Sequence, residues 1–204
     1  MEFVITRRRT AAVLTAAGLF GARTGHAQSS PLQPVQDLVA GLLAIMKAGQ
    51  GTPFSQRAQM LGPVIDRTFD LEAVLRASVG PTWASFSPDQ QRALLAAFRR
   101  YTVNSYVNSF DQFNGQRFLI NPETRSVGAE EVVRTQIVPT SGDTHELDYV
   151  MRNTPNGWRI VDVLADGAVS RVAVQRSDFR TLLRQGGADR LQRSLDSKAD
   201  GLAN

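Results

Sequence analysis

The sequence predicts an α+β fold, with helices first, an antiparallel sheet in the middle and helices again at the end. Three observations carry this. Apolar residues recur at three- and four-residue spacing from Val35 to Met46 and again from Leu94 to Phe110, the period of a helix with one buried face. After Gly115 the spacing changes from helical to alternating. Asn156-Gly157, set between two alternating runs, is the turn chemistry of a β-hairpin. Helices gathered at the two ends of a strand block, rather than alternating with it, indicate α+β and not a parallel α/β sheet.

The elements follow in order. Residues 28–33 (Gln-Ser-Ser-Pro-Leu-Gln) read as a short disordered lead. Val35, Leu38, Val39, Leu42, Leu43 and Met46 define a first helix that Gly49 and Gly51 end. A second spans Phe54 to Phe69, and Pro63 inside it predicts a kink or a break. A short third helix over 70–79 closes at Gly80-Pro81. The fourth has the clearest start: Ser87 caps, Pro88 takes the first helical position, and Gln90 completes a capping box. It runs to about Asp111. Strands are expected at Arg117 to Ile120, within Val127 to Pro139, at His145 to Arg152 and at Trp158 to Leu164, with Asp166-Gly167 closing the sheet. Phe179, Leu182 and Leu183 begin a helical tail that stops at Gly186-Gly187 and resumes through Leu191 and Leu195.

Residues 1–27 have the three-part layout of a cleavable export signal. Arg7, Arg8 and Arg9 precede a short apolar run, Ala11 to Phe20, and Gly25-His26-Ala27 places small residues where a signal peptidase must fit, with cleavage before Gln28. The apolar run is well short of the roughly 20 residues that span a bilayer. Thr6-Arg7-Arg8 leaves Sec and twin-arginine export both open. The expected mature form is one soluble domain, 28–204, outside the cytoplasm. The whole chain carries a net charge of +4. Arg7, Arg8, Arg9 and Arg23 against Glu2 account for most of it, so the remainder is close to neutral at +1. That excludes nucleic-acid binding driven by an overall basic excess, although a local basic patch can still meet an anionic membrane.

There is no cysteine, so neither a disulfide framework nor a thiolate metal site is available. Beyond the leader there is one histidine, His145. A Ser–His–Asp triad would have to use it at the start of a strand, and one histidine cannot build a zinc site. Gly-rich phosphate loops are missing. Asp148, Asp162 and Asp166 remain as carboxylates. The first two fall on strands that a hairpin can set side by side, which leaves open an acid–base pair in an apolar pocket or plain pairing with Arg152, Arg159 or solvent.

The apolar pattern is richer. The long fourth helix carries Phe98, Tyr101, Tyr106, Phe110 and Phe113, and the hairpin carries Leu147, Tyr149, Met151, Ile160, Val161 and Val163. A helix laid over a sheet in this way either packs solid or encloses an apolar pocket, and periodicity does not separate the two. A pocket would suit an acyl chain or a polycyclic hydrocarbon, since each CH₂ removed from water gains roughly 0.8 kcal/mol.

Three stretches together resemble one family. They are Phe69-Asp70-Leu71 through Gly80-Pro81-Thr82-Trp83 to Ser87-Pro88-Asp89-Gln90-Gln91-Arg92; Phe98-Arg99-Arg100-Tyr101 with Tyr106 and Asn114-Gly115-Gln116; and Asn156 through Val163, Asp166-Gly167-Ala168-Val169-Ser170 and Arg176-Ser177-Asp178-Phe179. Their order and spacing over about residues 35–195 are similar to the MlaC family, also called the toluene-tolerance auxiliary component of ABC transporters. The run Arg184-Gln185-Gly186-Gly187-Ala188-Asp189 most resembles its hopanoid-associated HpnM branch. The resemblance implies an NTF2-like antiparallel sheet covered by helices, with a deep apolar pocket between sheet and helices for lipid acyl chains. It implies a periplasmic shuttle with no enzymatic activity and no cofactor beyond the lipid cargo. It also implies docking to an outer-membrane lipoprotein complex and an inner-membrane ABC transporter. On that basis the expected lining is Phe98, Tyr101, Tyr106, Phe110, Tyr149, Met151, Val161, Val163 and Val169. The family usually reads Gly-Val-Ser after the last strand; here Ala168 intervenes between Gly167 and Val169, which leaves phospholipid and hopanoid both open as cargo. Two other readings stand beside the carrier: a protein-binding adaptor without a pocket, and a pocket enzyme using Asp148 or Asp162.

Overall fold

The structure is a computed structural model and describes residues 30–203. The export signal expected over 1–27 lies outside the described residues. Four helices come first: α1 (Leu32–Ala48), α2 (Phe54–Thr68), α3 (Leu71–Val79) and, after a 3-10 turn over Gly80–Ser85, the long α4 (Pro88–Ser109). Five strands follow: β1 (Arg117–Val127), β2 (Glu130–Val138), β3 (His145–Thr154), β4 (Gly157–Ala165) and β5 (Val169–Ser170). The last element is α5 (Arg171–Ala203). Among the described residues no helix is long and apolar enough to cross a membrane.

Local signals explain most element ends. The Ser87 hydroxyl accepts from the Gln90 N–H at 3.2 Å and the Gln90 side chain accepts from the Ser87 N–H at 3.1 Å, so two otherwise orphan donors at the start of α4 satisfy each other's residues. Asp70 caps α3 by accepting from Ala73 N at 2.9 Å. Pro63 does not break α2, which is continuous from Phe54 to Thr68. The expected lead at 28–33 ends sooner than the sequence suggested, because α1 already begins at Leu32 and buries Pro34 and Val35.

The strands form one antiparallel meander in chain order, β1-β2-β3-β4-β5. Val133, Tyr149 and Val163 are aligned across β2, β3 and β4. A bulge then shifts the β3–β4 register: Val150 pairs with Asp162, but Met151 pairs with Ile160. One extra residue, Val161, resets the alternation of the strand, so Ile160 and Val163 both reach the core side. That phase reset is why Ile160, Val161 and Val163 are all apolar. β1 is longer than the four residues expected. The strand passes Asn121 and Pro122 in a register shift between Ile120 and Thr124 and continues pairing to Val127. At the tip of the next hairpin Thr154 pairs with Gly157, so Pro155-Asn156 form the two-residue turn and Gly157 takes φ 89.

One apolar core joins the layers. Leu38, Leu42 and Ile45 of α1, Leu61 and Ile65 of α2, Phe98 of α4, Tyr149 and Met151 of β3, Ile160 of β4, and Leu191 and Leu195 of α5 are all buried in it. The joint between α2 and α3 is stitched to the sheet by Asp70 N, which donates to Ile160 O at 2.9 Å.

The expected stop at Gly186-Gly187 takes the form of a sharp joint within α5: Gly187 has φ 61 and ψ −149. That backbone conformation is essentially confined to glycine. The half before the joint lies beside α3, with Arg176 donating to Ala77 O. The half after it packs on α4, where Asn104 donates to Ala199 O at 2.9 Å and Arg100 meets Asp196 and Asp200. A Cβ at Gly187 would touch nothing, so Gly187→Ala isolates the backbone cost. It is expected to destabilise the protein by about 1–3 kcal/mol, read as a lower midpoint at unchanged slope in urea unfolding.

Candidate functional site

A cavity lies where α3, α4, β4 and the start of α5 meet. α4 contributes Phe98, Tyr101, Thr102, Ser105 and Tyr106, residues that share one helical face because they follow the three- and four-residue spacing. Phe69, Leu71 and Val74 close it on the α2–α3 side, Val163 and Asp162 from β4, and Arg171, Val172 and Gln175 from α5. Its volume is about 70 Å³.

Aromatic contacts run outward from this cavity. Tyr106 meets Phe69 edge to face at 5.8 Å and stacks on Phe110 at 6.0 Å, and Phe110 lies 6.1 Å from Phe118. Phe110 lines a second, open hollow of about 490 Å³ at the end of α4, where Met46, Ile137, Leu147 and Ala165 form an apolar part and Asp111, Gln112, His145, Glu146 and Asp166 a polar one. The stacked Tyr106–Phe110 pair therefore stands between a small cavity and a larger hollow of mixed polar and apolar lining. Burial pushes the Tyr106 phenol above its ordinary pKa, with Arg171 opposing; burial, with Tyr106 nearby, does the same to Tyr149. Both phenols stay neutral across the physiological range.

The structure places the nine sequence-predicted lining residues as follows. Phe98, Tyr101, Tyr106 and Val163 line the small cavity. Phe110 lines the open hollow. Tyr149 and Met151 are core residues, 2% and 0% exposed. Val161 is the buried bulge residue of β4. Val169 is 52% exposed on β5. The polar residues at the cavity rim, Arg171 and Gln175, were not among those expected. Gln175 accepts from the Ser78 hydroxyl at 3.0 Å, and no sequence pattern signals that cross-helix contact.

The two carboxylates of the enzyme reading are not free partners across a cleft. Asp162 Oδ1 accepts from Val163 N at 2.8 Å and Val172 N at 3.0 Å, and Oδ2 accepts from the Ser170 hydroxyl. Ser170 in turn caps α5 by accepting from Ala173 N at 3.0 Å. Asp162 is thus the anchor that starts α5 at the cavity wall. Asp148 pairs with Leu164 rather than with Asp162 and sits in a groove with Ile120, Arg134 and Glu146. It is 7% exposed. Burial raises its pKa above the usual carboxylate value and Glu146 adds to this, while a hydrogen bond from the Thr135 backbone and the charges of Arg134 and Arg125 oppose it. A raised folded-state pKa means that stability is lost as pH rises through it. Asp148→Asn is accordingly expected to raise the thermal midpoint at neutral pH and to change nothing below about pH 3.9, where the unfolded carboxyl is protonated too. Calorimetry at both pH values checks this. Among the described residues no three His, Cys, Asp or Glu side chains gather as a metal site.

The fold is thus a helical layer on a five-stranded antiparallel meander, with an aromatic-lined cleft between them. The chain belongs to the MlaC family: the family model described as "MlaC protein" matches residues 36–197. Its fold is also similar to that of a solved phospholipid-binding protein from Ralstonia solanacearum, determined in complex with a phospholipid. The two superpose with a TM-score of 0.75 at 22% identity, covering 86% of this chain and 100% of the other.

Proposed function

We propose that the protein is a periplasmic lipid carrier, taking up a phospholipid, or a hopanoid-like lipid of the HpnM type, between α4 and the sheet. It moves that cargo between the outer and inner membranes as part of an ABC-transporter-linked system, with an outer-membrane lipoprotein complex and the inner-membrane transporter as its partners. The observation that carries this reading is the aromatic series Phe98, Tyr101, Tyr106 and Phe110, running along α4 to its C-cap, which lines a cavity walled by β4 and α5 and ends at a second, larger hollow. The family and the phospholipid bound to a protein of the same fold support it, as does the export layout of residues 1–27. The mechanism is passive: the apolar walls shield the chains from water at roughly 0.8 kcal/mol per CH₂, and the partners set direction.

The cavity of about 70 Å³ is far below the roughly 300–1,000 Å³ that ligand sites offer. Loading therefore separates its walls. Displacing the Tyr106–Phe110 pair joins the cavity to the hollow beside it, and the half of α5 before Gly187 is the wall with a joint at its end.

Native mass spectrometry of the protein purified from a periplasmic extract, followed by organic extraction and lipid identification, tests the proposal. A stoichiometric phospholipid adduct supports the carrier. A hopanoid adduct assigns the specialised branch. The same small cavity favours a second reading, a protein-binding adaptor with a filled core, and a clean apo mass that persists after incubation with both lipid classes would establish it instead.

A further inference from the structure

Charge is unevenly divided in this protein. Over residues 28–170 acidic side chains outnumber basic ones, whereas in 171–204 the balance is reversed. The first half of α5 concentrates the excess: it carries Arg171, Arg176, Arg180 and Arg184, with Asp178 as its one acid. The last three arginines recur every four residues, so they climb one flank of the helix at about 6 Å per step. That flank borders the 3-10 turn. Between them is a groove of about 340 Å³ with Val79, Pro81 and Leu183 among its lining and no carboxylate.

Five arginines elsewhere among the described residues, Arg76, Arg92, Arg99, Arg100 and Arg152, are held in ion pairs with carboxylates. Arg176 donates to the Ala77 carbonyl at 3.0 and 2.7 Å and holds α5 to the end of α3. Arg180 and Arg184 are exposed, and among the described residues neither makes an ion pair.

We propose that this flank of α5 docks the protein onto a bilayer surface bearing anionic phospholipid headgroups. Guanidinium groups pair with phosphate through two parallel hydrogen bonds. An acidic protein surface would satisfy the arginines as well. The choice of a membrane rests on the carrier reading above, because a lipid leaves or enters a bilayer between its headgroups.

The test is flotation of the purified protein with vesicles of mixed phosphatidylethanolamine and phosphatidylglycerol, against vesicles of phosphatidylcholine alone. Runs at low ionic strength and at about 0.15 M salt report the electrostatic share. The wild type is expected to float with the anionic vesicles only, and less so in salt. Each basic residue near an anionic surface strengthens adsorption about five-fold. Arg180→Gln/Arg184→Gln should therefore weaken it about 25-fold and Arg180→Glu/Arg184→Glu by more. Arg117→Glu on the far strand β1 should leave it unchanged. The proposal is overturned if the wild type ignores anionic vesicles at low ionic strength, if the double variants float like wild type, or if the arginines are needed only for an acidic protein partner. Native mass spectrometry of the double variants separates this from the cargo reading. A protein that floats but never holds lipid keeps the docking face and loses the carrier; one that holds lipid but never floats does the reverse.

Discussion

Val163→Glu is expected to strip the protein of bound lipid while leaving its far-ultraviolet circular dichroism unchanged. Val163 is half-buried, faces the small cavity from β4, and lies across the strand pair from Tyr149. A carboxylate placed there gives up several kcal/mol of hydration wherever an acyl chain has to displace the water around it. Since 1.4 kcal/mol is already tenfold in occupancy, the adduct seen by native mass spectrometry should fall by more than tenfold. Arg171 lines the same cavity and can meet a glutamate at the rim, so Val163→Trp, which fills the space without charge, is the companion variant. Normal lipid occupancy in both folded variants would remove the small cavity from the cargo path.

The second large effect is on stability. Tyr149→Ala is expected to lower the unfolding free energy by about 3–5 kcal/mol, the usual range for removing a large buried ring. Tyr149 is among the largest fully buried side chains and sits at the centre of the aligned row Val133, Tyr149, Val163. At about 2–4 °C per kcal/mol for a chain of this size, the thermal midpoint should fall by about 6–20 °C, measured by calorimetry. A charge at this position would test folding before it tested cargo, which is why Val163 is the cleaner site for the lipid experiment. A midpoint within about 2 °C of wild type would show that the row collapses around the loss.

Much of the fold is legible in the sequence where a local rule acts alone. The Ser87–Gln90 box starts α4 because both bonds of the box close within four residues. The glycines at 186 and 187 interrupt α5 because Gly187 takes a conformation that side chains disfavour. The readings that differ are those where tertiary contacts override a local signal. Pro63 leaves α2 intact. Asn121-Pro122 become a register shift instead of a strand end, because pairing with β2 resumes beyond them. The short β5 has no pattern of its own; it exists because Val169 and Ser170 pair with Ala165 and Leu164. At the site, the α4 face was legible from its spacing. The bulge at Val161 was not, although three apolar residues in four positions are its trace. Nor were Arg171 and Gln175, whose place depends on where α5 crosses β4.

The division of α5 also bears on the order in which the protein folds. Every strand of the meander pairs with its sequence neighbour, so the sheet closes through short loops. The contacts of α5, by contrast, link Ala77 to Arg176 before the joint and Arg100 to Asp196 and Asn104 to Ala199 after it, across separations of 99, 96 and 95 residues. Contacts so far apart in sequence bear the largest loop-closure entropy and slow folding the most. Both halves of α5 are therefore the natural last pieces to dock, the terminal half onto α4. Until it does, the face of α4 that receives it is exposed, and a chain cut at Gly187 would carry that face uncovered as an aggregation hazard.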